Sequence, residues 1–138
     1  MMVHFPLALT LAGAACLTCT KVLKDGALQN SLAFAGTWNL ILGAAAGLLT
    51  LGTGSAAASH LALVDGAQYS VSRHMIWAVC TSQLLAFLAM YRALVVAWKS
   101  IPSAWFLLLL GIACVGLVVT GYYGGENVYH YALGVAAG

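Results

Sequence analysis

Four histidines, at positions 4, 60, 74 and 130, are the residues of this sequence that are best suited to bind a metal or to transfer a proton. Imidazole ligates haem iron, copper and zinc, and it exchanges protons near neutral pH. The four positions are far apart along the chain, so a common site requires a fold that brings their segments together. The function of the histidines therefore depends on how the secondary-structure elements that contain them are arranged.

The composition places those elements in a membrane. The chain has 138 residues, of which 63% are hydrophobic and only 6% are charged, whereas about a quarter of the residues of a soluble domain are charged. Most of its surface must therefore contact membrane lipid. A bilayer crossing needs about 20 apolar residues, so the length allows four crossings. The net charge of +2 gives no sign of a nucleic-acid partner.

Polar or glycine- and proline-containing segments at residues 24–26, 64–70 and 101–103 separate the apolar runs. We therefore predict an all-α protein, an integral membrane four-helix antiparallel bundle that forms a single transmembrane domain. Gly124-Gly125 is expected to end the last helix, and a short C-terminal interfacial segment is expected to follow. The predicted spans lie at residues 5–23, 32–59, 74–98 and 104–123.

The positive charges predict the orientation of the bundle. Lys21 and Lys24 flank the first loop, Arg92 and Lys99 flank the third, and the opposite side has only Arg73. Because Lys and Arg concentrate in cytoplasmic loops, both termini are expected on the periplasmic side of a bacterial cytoplasmic (inner) membrane. Arg92 is expected to extend its charge to the lipid headgroups from the end of the third helix.

This topology gathers the histidines at one end. His4 opens the first helix, His60 closes the second, His74 opens the third and His130 follows the fourth. Antiparallel helices alternate in direction, so all four histidines are expected on the periplasmic side. We predict a histidine cluster there that ligates haem iron or a transition metal. Each histidine could instead simply lie at the interface.

Two charged residues accompany the predicted cluster. Arg73 could pair with a carboxylate of the protein or with a haem propionate. Glu126 could pair with Arg73, accept a proton from a histidine, or face water. The sequence contains no Ser-His-Asp arrangement, no phosphate-binding glycine loop and no carboxylate pair within a predicted span. Hydrolysis and ion pumping are therefore disfavoured, since pumps use buried acids.

Glycines recur along one stripe of the second helix, at positions 36, 43, 47 and 54. Glycine on a membrane helix lets another surface approach the backbone closely. The stripe is therefore predicted to pack against another helix, or alternatively to accommodate a flat cofactor.

Three sequence motifs resemble those of an uncharacterised bacterial family of four-helix predicted membrane proteins, the domain of unknown function 2231. They are the His4-Phe5-Pro6 opening, the internal Arg73-His74 pair, and a glycine-rich closing motif over residues 121–129. His4 and His74 match directly, whereas the closing motif of the family has histidine at the position of Tyr131 rather than at His130. Members of the family occur near periplasmic redox proteins or joined to them, so the resemblance implies an electron-transfer setting.

The sequence thus favours a membrane-bound protein that carries haem b near the periplasmic face, with axial ligands drawn from His4, His60, His74 and His130. It would pass electrons between a quinone pool and a periplasmic redox protein, or anchor such a protein. Two alternatives remain, a structural or assembly subunit of a larger membrane complex and a periplasmic-side transition-metal binder. An electron-transfer or accessory subunit is expected rather than an independent enzyme.

Overall fold

Four helices make up most of the chain. The computed structural model describes residues 4–59, 66–96 and 98–133. These residues contain no β-strand, which confirms the predicted all-α class. The helices are α1 (His4–Cys19), α2 (Gly26–Ala58), α3 (Ala67–Leu94) and α4 (Ala104–Tyr129).

The surface of the bundle is apolar, as a lipid environment requires. α2, α3 and α4 are each long and apolar enough to cross a membrane, and α1 is a shorter apolar helix. Large apolar side chains such as Leu49, Phe87 and Val115 are exposed on these three helices. Continuous apolar surface of this kind is unfavourable in water. The chain is therefore a multi-pass membrane bundle, as its composition predicted.

The helices form a ring in which each one contacts two others. α1 lies against α2 and α4, and α3 lies against the same two helices. α2 and α3 run antiparallel, since Thr37 contacts Arg92 while Gly47 lies beside Ser82. The buried apolar side chains at the centre of the ring are Leu17, Leu40, Ala44, Leu85, Leu88, Ala89, Phe106, Leu110 and Ala113.

Tight packing is confined to one part of the bundle. We call the end that contains residues 20–25, 95–96 and 98–103 the Arg92 end, and the opposite end, where α3 begins and α4 finishes, the His74 end. Beyond Gly47 in α2, before Thr81 in α3 and beyond Gly116 in α4, only Ala67 and Ser70 are buried among the described helical residues. The His74 end is therefore the more open part of the bundle.

Glycine brings α1 and α2 into close contact. A Cβ atom added to Gly36 would lie 2.7 Å from Leu17 Cγ and 3.0 Å from the carbonyl oxygen of Gly13. One added to Gly43 would lie 2.7 Å from Thr10 Oγ1. The packing interpretation of the glycine stripe is confirmed at Gly36 and Gly43. The cofactor interpretation is wrong at these two positions, because α1 occupies that face.

Replacing Gly36 with alanine is expected to separate α1 from α2. The added methyl group would contact the backbone of α1, and overpacking of this kind costs about 1–3 kcal/mol. The same substitution at Gly54 is the matched control, because a Cβ there meets no atom within 4 Å. Alanine at Gly54 should be neutral or slightly stabilising. The free energy of unfolding, measured in mixed micelles, tests the difference, and equal values for the two variants would contradict it.

The helices extend differently from the predicted spans. α1 ends at Cys19 rather than near residue 23, and α3 begins at Ala67, seven residues before the predicted start. α4 continues through Gly124-Gly125 to Tyr129, so the expectation that these glycines end the helix was wrong. Glycine costs about 1 kcal/mol relative to alanine inside a helix. Contacts between this part of α4 and α3, described below, hold the helix together.

A hook follows α4 within the predicted C-terminal segment. The amide of Leu133 donates to the carbonyl of Asn127 at 2.9 Å, and Ala132 has a positive φ of 49°. The ring of Tyr131 reaches Gly66 at the start of α3, where an added Cβ would lie 3.8 Å from the Tyr131 Cε1 atom. The chain therefore turns back towards α3 once α4 has ended.

Candidate functional site

His74 connects α3 to α4 near the open end of the bundle. The side chain is half-buried, and its Nδ1 lies 3.0 Å from the carbonyl oxygen of Thr120. A carbonyl can only accept a hydrogen bond, so Nδ1 must carry the proton. In the neutral ring Nε2 then has a free lone pair. This tautomer leaves Nε2 available to bind a metal or a proton.

Gly124 provides the space for the His74 ring. A Cβ atom added to Gly124 would lie 3.1 Å from His74 Cε1 and 3.3 Å from His74 Nδ1, which is tighter than ordinary packing. The next glycine, Gly125, would meet nothing closer than Tyr129 at 3.8 Å. The first of the two paired glycines in the closing motif therefore has a specific steric role against the Arg-His motif of α3.

A second polar contact joins the same two helices, about one turn from His74. The hydroxyl of Ser70 donates to Oε2 of Glu126 at 2.9 Å, and Ser70 is 1% exposed. Glu126 is thus bound by a serine rather than by Arg73. This bond and the His74–Thr120 bond hold the last turns of α4 against α3, which explains why α4 continues past its paired glycines.

Arg73 is oriented towards an aromatic ring. Its guanidinium carbon lies 5.1 Å from the centre of the Tyr69 ring, a distance typical of a cation–π contact. The pairing with Glu126 that the sequence left open is not formed; the Glu126 carboxylate accepts from Ser70 instead. Arg73 is exposed, so its charge lies at the surface of the His74 end.

The other histidines are placed differently from His74. His4 is exposed at the start of α1, and His130 is exposed just beyond α4, where its ring packs edge-on against Tyr131 at 4.7 Å. His60 lies outside the described residues. Within residues 4–59, 66–96 and 98–133, no group of three or more His, Cys, Asp or Glu side chains is close enough to hold a metal ion.

A shallow, open groove runs along the outer face of the last turns of α4. Its lining residues are Tyr122, Gly125, Glu126, Tyr129 and His130. The groove brings His130 close to Glu126, which in turn binds Ser70. The polar residues of the closing motif therefore lie both on the side of α4 that faces α3 and on the side that faces outward.

Sequence reasoning missed the most completely buried charge in the described chain. Arg92 is 1% exposed, so the expectation that it reaches the headgroups was wrong. Its guanidinium donates to Thr37 Oγ1 at 2.9 Å, to the Trp98 carbonyl at 3.2 Å and to the Ser100 carbonyl at 3.1 Å. The sequence did contain an indication of this burial. Arg92 lies on the same helical stripe as Leu85 and Leu88, and both leucines are buried.

Gly124→Val is expected to displace the His74 ring and to break its hydrogen bond to Thr120. A branched side chain cannot fit where even a methyl group would be crowded. The measurement is the ¹⁵N spectrum of the neutral His74 imidazole, assigned from its absence in a His74→Gln sample. We expect the Nδ1–H tautomer in the parent protein and its loss in the valine variant.

Gly125→Val is the matched control for this substitution, because the nearest atom at that position is at ordinary contact distance. It should retain the Nδ1–H tautomer. If Gly124→Val also retained it, Gly124 would have no role in positioning His74.

Comparison with known proteins agrees with the architecture. No curated protein and no solved structure matches the chain. A family model described as "Predicted membrane protein (DUF2231)" matches residues 1–137. The match includes both the Arg73-His74 pair and the glycine-rich closing motif, which contact each other in the structure through His74 and Gly124. The chain therefore belongs to the DUF2231 family of predicted membrane proteins.

Proposed function

We propose that this protein is a membrane-bound electron-transfer subunit that holds a b-type haem at its His74 end. The observation that supports the proposal is the hydrogen bond between His74 Nδ1 and the Thr120 carbonyl. Histidines that ligate metals commonly donate their other ring nitrogen to a backbone carbonyl, which fixes the tautomer and the orientation of the ring. His74 has the same contact to a backbone carbonyl, and its Nε2 would bind the iron.

The set of donor atoms fits haem better than a bare metal ion. Zinc and copper sites take about three or four ligands from protein side chains, and the described part of the chain has no such group. Haem supplies four nitrogen ligands itself, so the protein needs to add only one or two. His74 would be one ligand of the haem iron. A second would come from His4, His60 or His130.

The surroundings of His74 are also compatible with a bound cofactor. Packing is loose in this part of the bundle, where Ala67 and Ser70 are the buried positions among the described helical residues. Arg73 is exposed one residue away, on the surface of the same end. Its guanidinium would hold a haem propionate, because bidentate pairing with a carboxylate suits its planar shape.

When bound, haem supplies one-electron chemistry, and the protein residues determine where it takes place. The opposite end contains Lys21, Lys24, Arg92 and Lys99. Because Lys and Arg concentrate in cytoplasmic loops, we infer that this end faces the cytoplasm. His74 would then lie at the periplasmic face of a bacterial inner membrane. Electrons would pass there between a quinone pool and a periplasmic redox protein, or within a larger membrane complex.

A visible absorption spectrum of the detergent-purified protein, oxidised and then reduced with dithionite, tests the proposal. Expression must be accompanied by ample haem supply. We expect a sharp α-band in the reduced sample, at the position typical of b-type cytochromes. A colourless protein would overturn the proposal, and metal analysis of that sample would then test for a transition-metal binder.

The second candidate function is a structural or assembly subunit without a cofactor. The observation that favours it is the pair of contacts between α3 and α4, in which Ser70 binds Glu126 and His74 binds the Thr120 carbonyl. Both contacts serve to hold two helices together, whether or not a ligand is present. A protein free of haem and metal that co-purifies with a larger membrane complex would support this function.

A further inference from the structure

The Arg92 end of the bundle carries a concentrated positive charge. Four of the five Lys and Arg residues lie in the segments at this end, namely Lys21, Lys24, Arg92 and Lys99. The one acidic residue of those segments is Asp25, and its carboxylate caps α2 by accepting from the amide of Ala27 at 2.9 Å. The positive charge is therefore largely uncompensated by the chain itself.

Arg92 contributes to this charge without forming an ion pair. Its acceptors are the hydroxyl of Thr37, the carbonyl of Trp98, and the carbonyl and hydroxyl of Ser100. All of these groups are neutral. A buried cation that is bound only by neutral dipoles keeps its full charge and raises the electrostatic potential of the surface around it.

An open groove lies on the surface beside the segment that binds Arg92. It is lined by Ala27, Asn30, Ser31, Phe34 and Lys99. Lys99 lies between Trp98 and Ser100, the two residues whose carbonyls bind Arg92. The groove and the buried guanidinium therefore share one segment of chain, and the Arg92 contacts fix the position of the residues on either side of Lys99.

Phe34 forms the apolar side of this groove, and it belongs to a cluster of three aromatic rings. The Phe34 ring lies 6.0 Å from that of Trp98, and the Trp98 ring lies 5.1 Å from that of Trp38. Phe34 and Trp38 are both exposed. Aromatic rings of this kind are enriched at the level where the headgroups of a bilayer meet its acyl chains. The groove thus has a cationic side and an aromatic side.

We propose that this groove binds the phosphate headgroup of an anionic phospholipid. The Lys99 ammonium contacts the phosphate, the Asn30 amide donates to its oxygens, and the exposed face of Phe34 lies along the first part of an acyl chain. Basic pockets beside membrane helices bind anionic headgroups by this combination of charge and apolar contact. A free phosphate ion would leave the aromatic side unused. The site is independent of any haem at the opposite end.

The test compares purified protein in nanodiscs of phosphatidylcholine alone with protein in nanodiscs that also contain phosphatidylglycerol. Native mass spectrometry counts the retained phosphatidylglycerol, and the unfolding midpoint measures stabilisation. Lys99→Gln is expected to weaken phosphatidylglycerol binding about fivefold, which corresponds to the loss of one surface cation from an anionic membrane site. Lys24→Gln is the matched control, because it removes the same charge from the same end outside the groove.

Retention of one phosphatidylglycerol by the parent protein and by Lys24→Gln, with retention about fivefold weaker in Lys99→Gln, would support the site. Equal binding by the parent and Lys99→Gln would overturn it, as would equal losses in the two variants, which would indicate a diffuse surface charge. Inorganic phosphate added to phosphatidylcholine nanodiscs is expected to give no stabilisation. If it raised the unfolding midpoint as much as the lipid does, the occupant would be an ion rather than a phospholipid. Both lysines are exposed, and helical content confirms that each variant is folded.

Discussion

Replacing His74 with alanine is expected to remove nearly all of the bound haem while the bundle remains helical. The substitution deletes Nε2, the atom that we propose as an axial ligand, together with the Nδ1–H that donates to Thr120. The reduced-minus-oxidised spectrum, normalised to protein concentration, measures haem content. Far-UV circular dichroism measures helicity on the same sample.

His74→Asn separates ligation from packing. The side-chain amide of asparagine can donate to the Thr120 carbonyl from nearly the same place as Nδ1, but it has no atom equivalent to Nε2. We expect His74→Asn to lose haem as completely as His74→Ala while keeping the stability of the parent protein. Full haem content in the asparagine variant would show that His74 holds the two helices together and ligates nothing.

Replacing Arg92 with alanine is expected to lower the free energy of unfolding by about 3 kcal/mol, because it leaves one buried and two part-buried acceptors without their donor. These are the hydroxyl of Thr37 and the carbonyls of Trp98 and Ser100. The loop between α3 and α4 would also lose its attachment to α2. The measurement is reversible unfolding in mixed micelles, monitored by circular dichroism.

Two further variants identify the cause of the destabilisation. Arg92→Lys keeps the charge but offers a single ammonium in place of the planar guanidinium, so it should recover only part of the loss. Lys21→Ala removes an exposed cation at the same end and should change stability by no more than about 0.5 kcal/mol. If Arg92→Ala matched Lys21→Ala, the hydrogen bonds of the buried guanidinium would contribute little.

The architecture could be predicted from the sequence because a bilayer imposes simple requirements. The apolar runs are long enough to span a bilayer and are separated by Lys24-Asp25-Gly26 and by Pro102. Such runs are expected to form transmembrane helices that cross the bilayer in alternating directions. Close packing of another helix against Gly36 and Gly43 was also predictable, since glycines repeated on one face permit close approach, although the sequence did not identify α1 as that helix. Both inferences depend on local patterns that a single sequence contains.

The burial of Arg92 was not predicted, because the rule for membrane arginines concerns an average environment. According to that rule, an arginine near a helix end extends its charge to the headgroups. Arg92 instead donates to neutral acceptors on α2 and on the loop before α4. Those acceptors come from segments distant in sequence. The end of α4 was misplaced for a similar reason, since the contacts that hold its last turns come from Ser70 and His74, which are distant in sequence.

The candidate site was only partly predictable. The sequence identified His74, and it identified the closing motif, but it gave no means of joining Ser70 to Glu126 or His74 to Thr120. Those contacts depend on the relative register of α3 and α4, which the length of a loop does not determine. The prediction that all four histidines cluster stays a prediction, because the structure leaves His4 and His130 exposed and His60 lies outside the described residues.

The uneven packing of the bundle has a consequence for its motions. Local opening requires least free energy where few apolar contacts must be broken. The section around Leu40, Leu88 and Leu110 should therefore exchange its amide hydrogens only on global unfolding, whereas the last turns of α4 should exchange through smaller fluctuations. The hydrogen bonds of His74 and Ser70 lie in that second region. The candidate site thus belongs to a cooperative unit that can rearrange, or admit a partner, while the rest of the bundle stays intact.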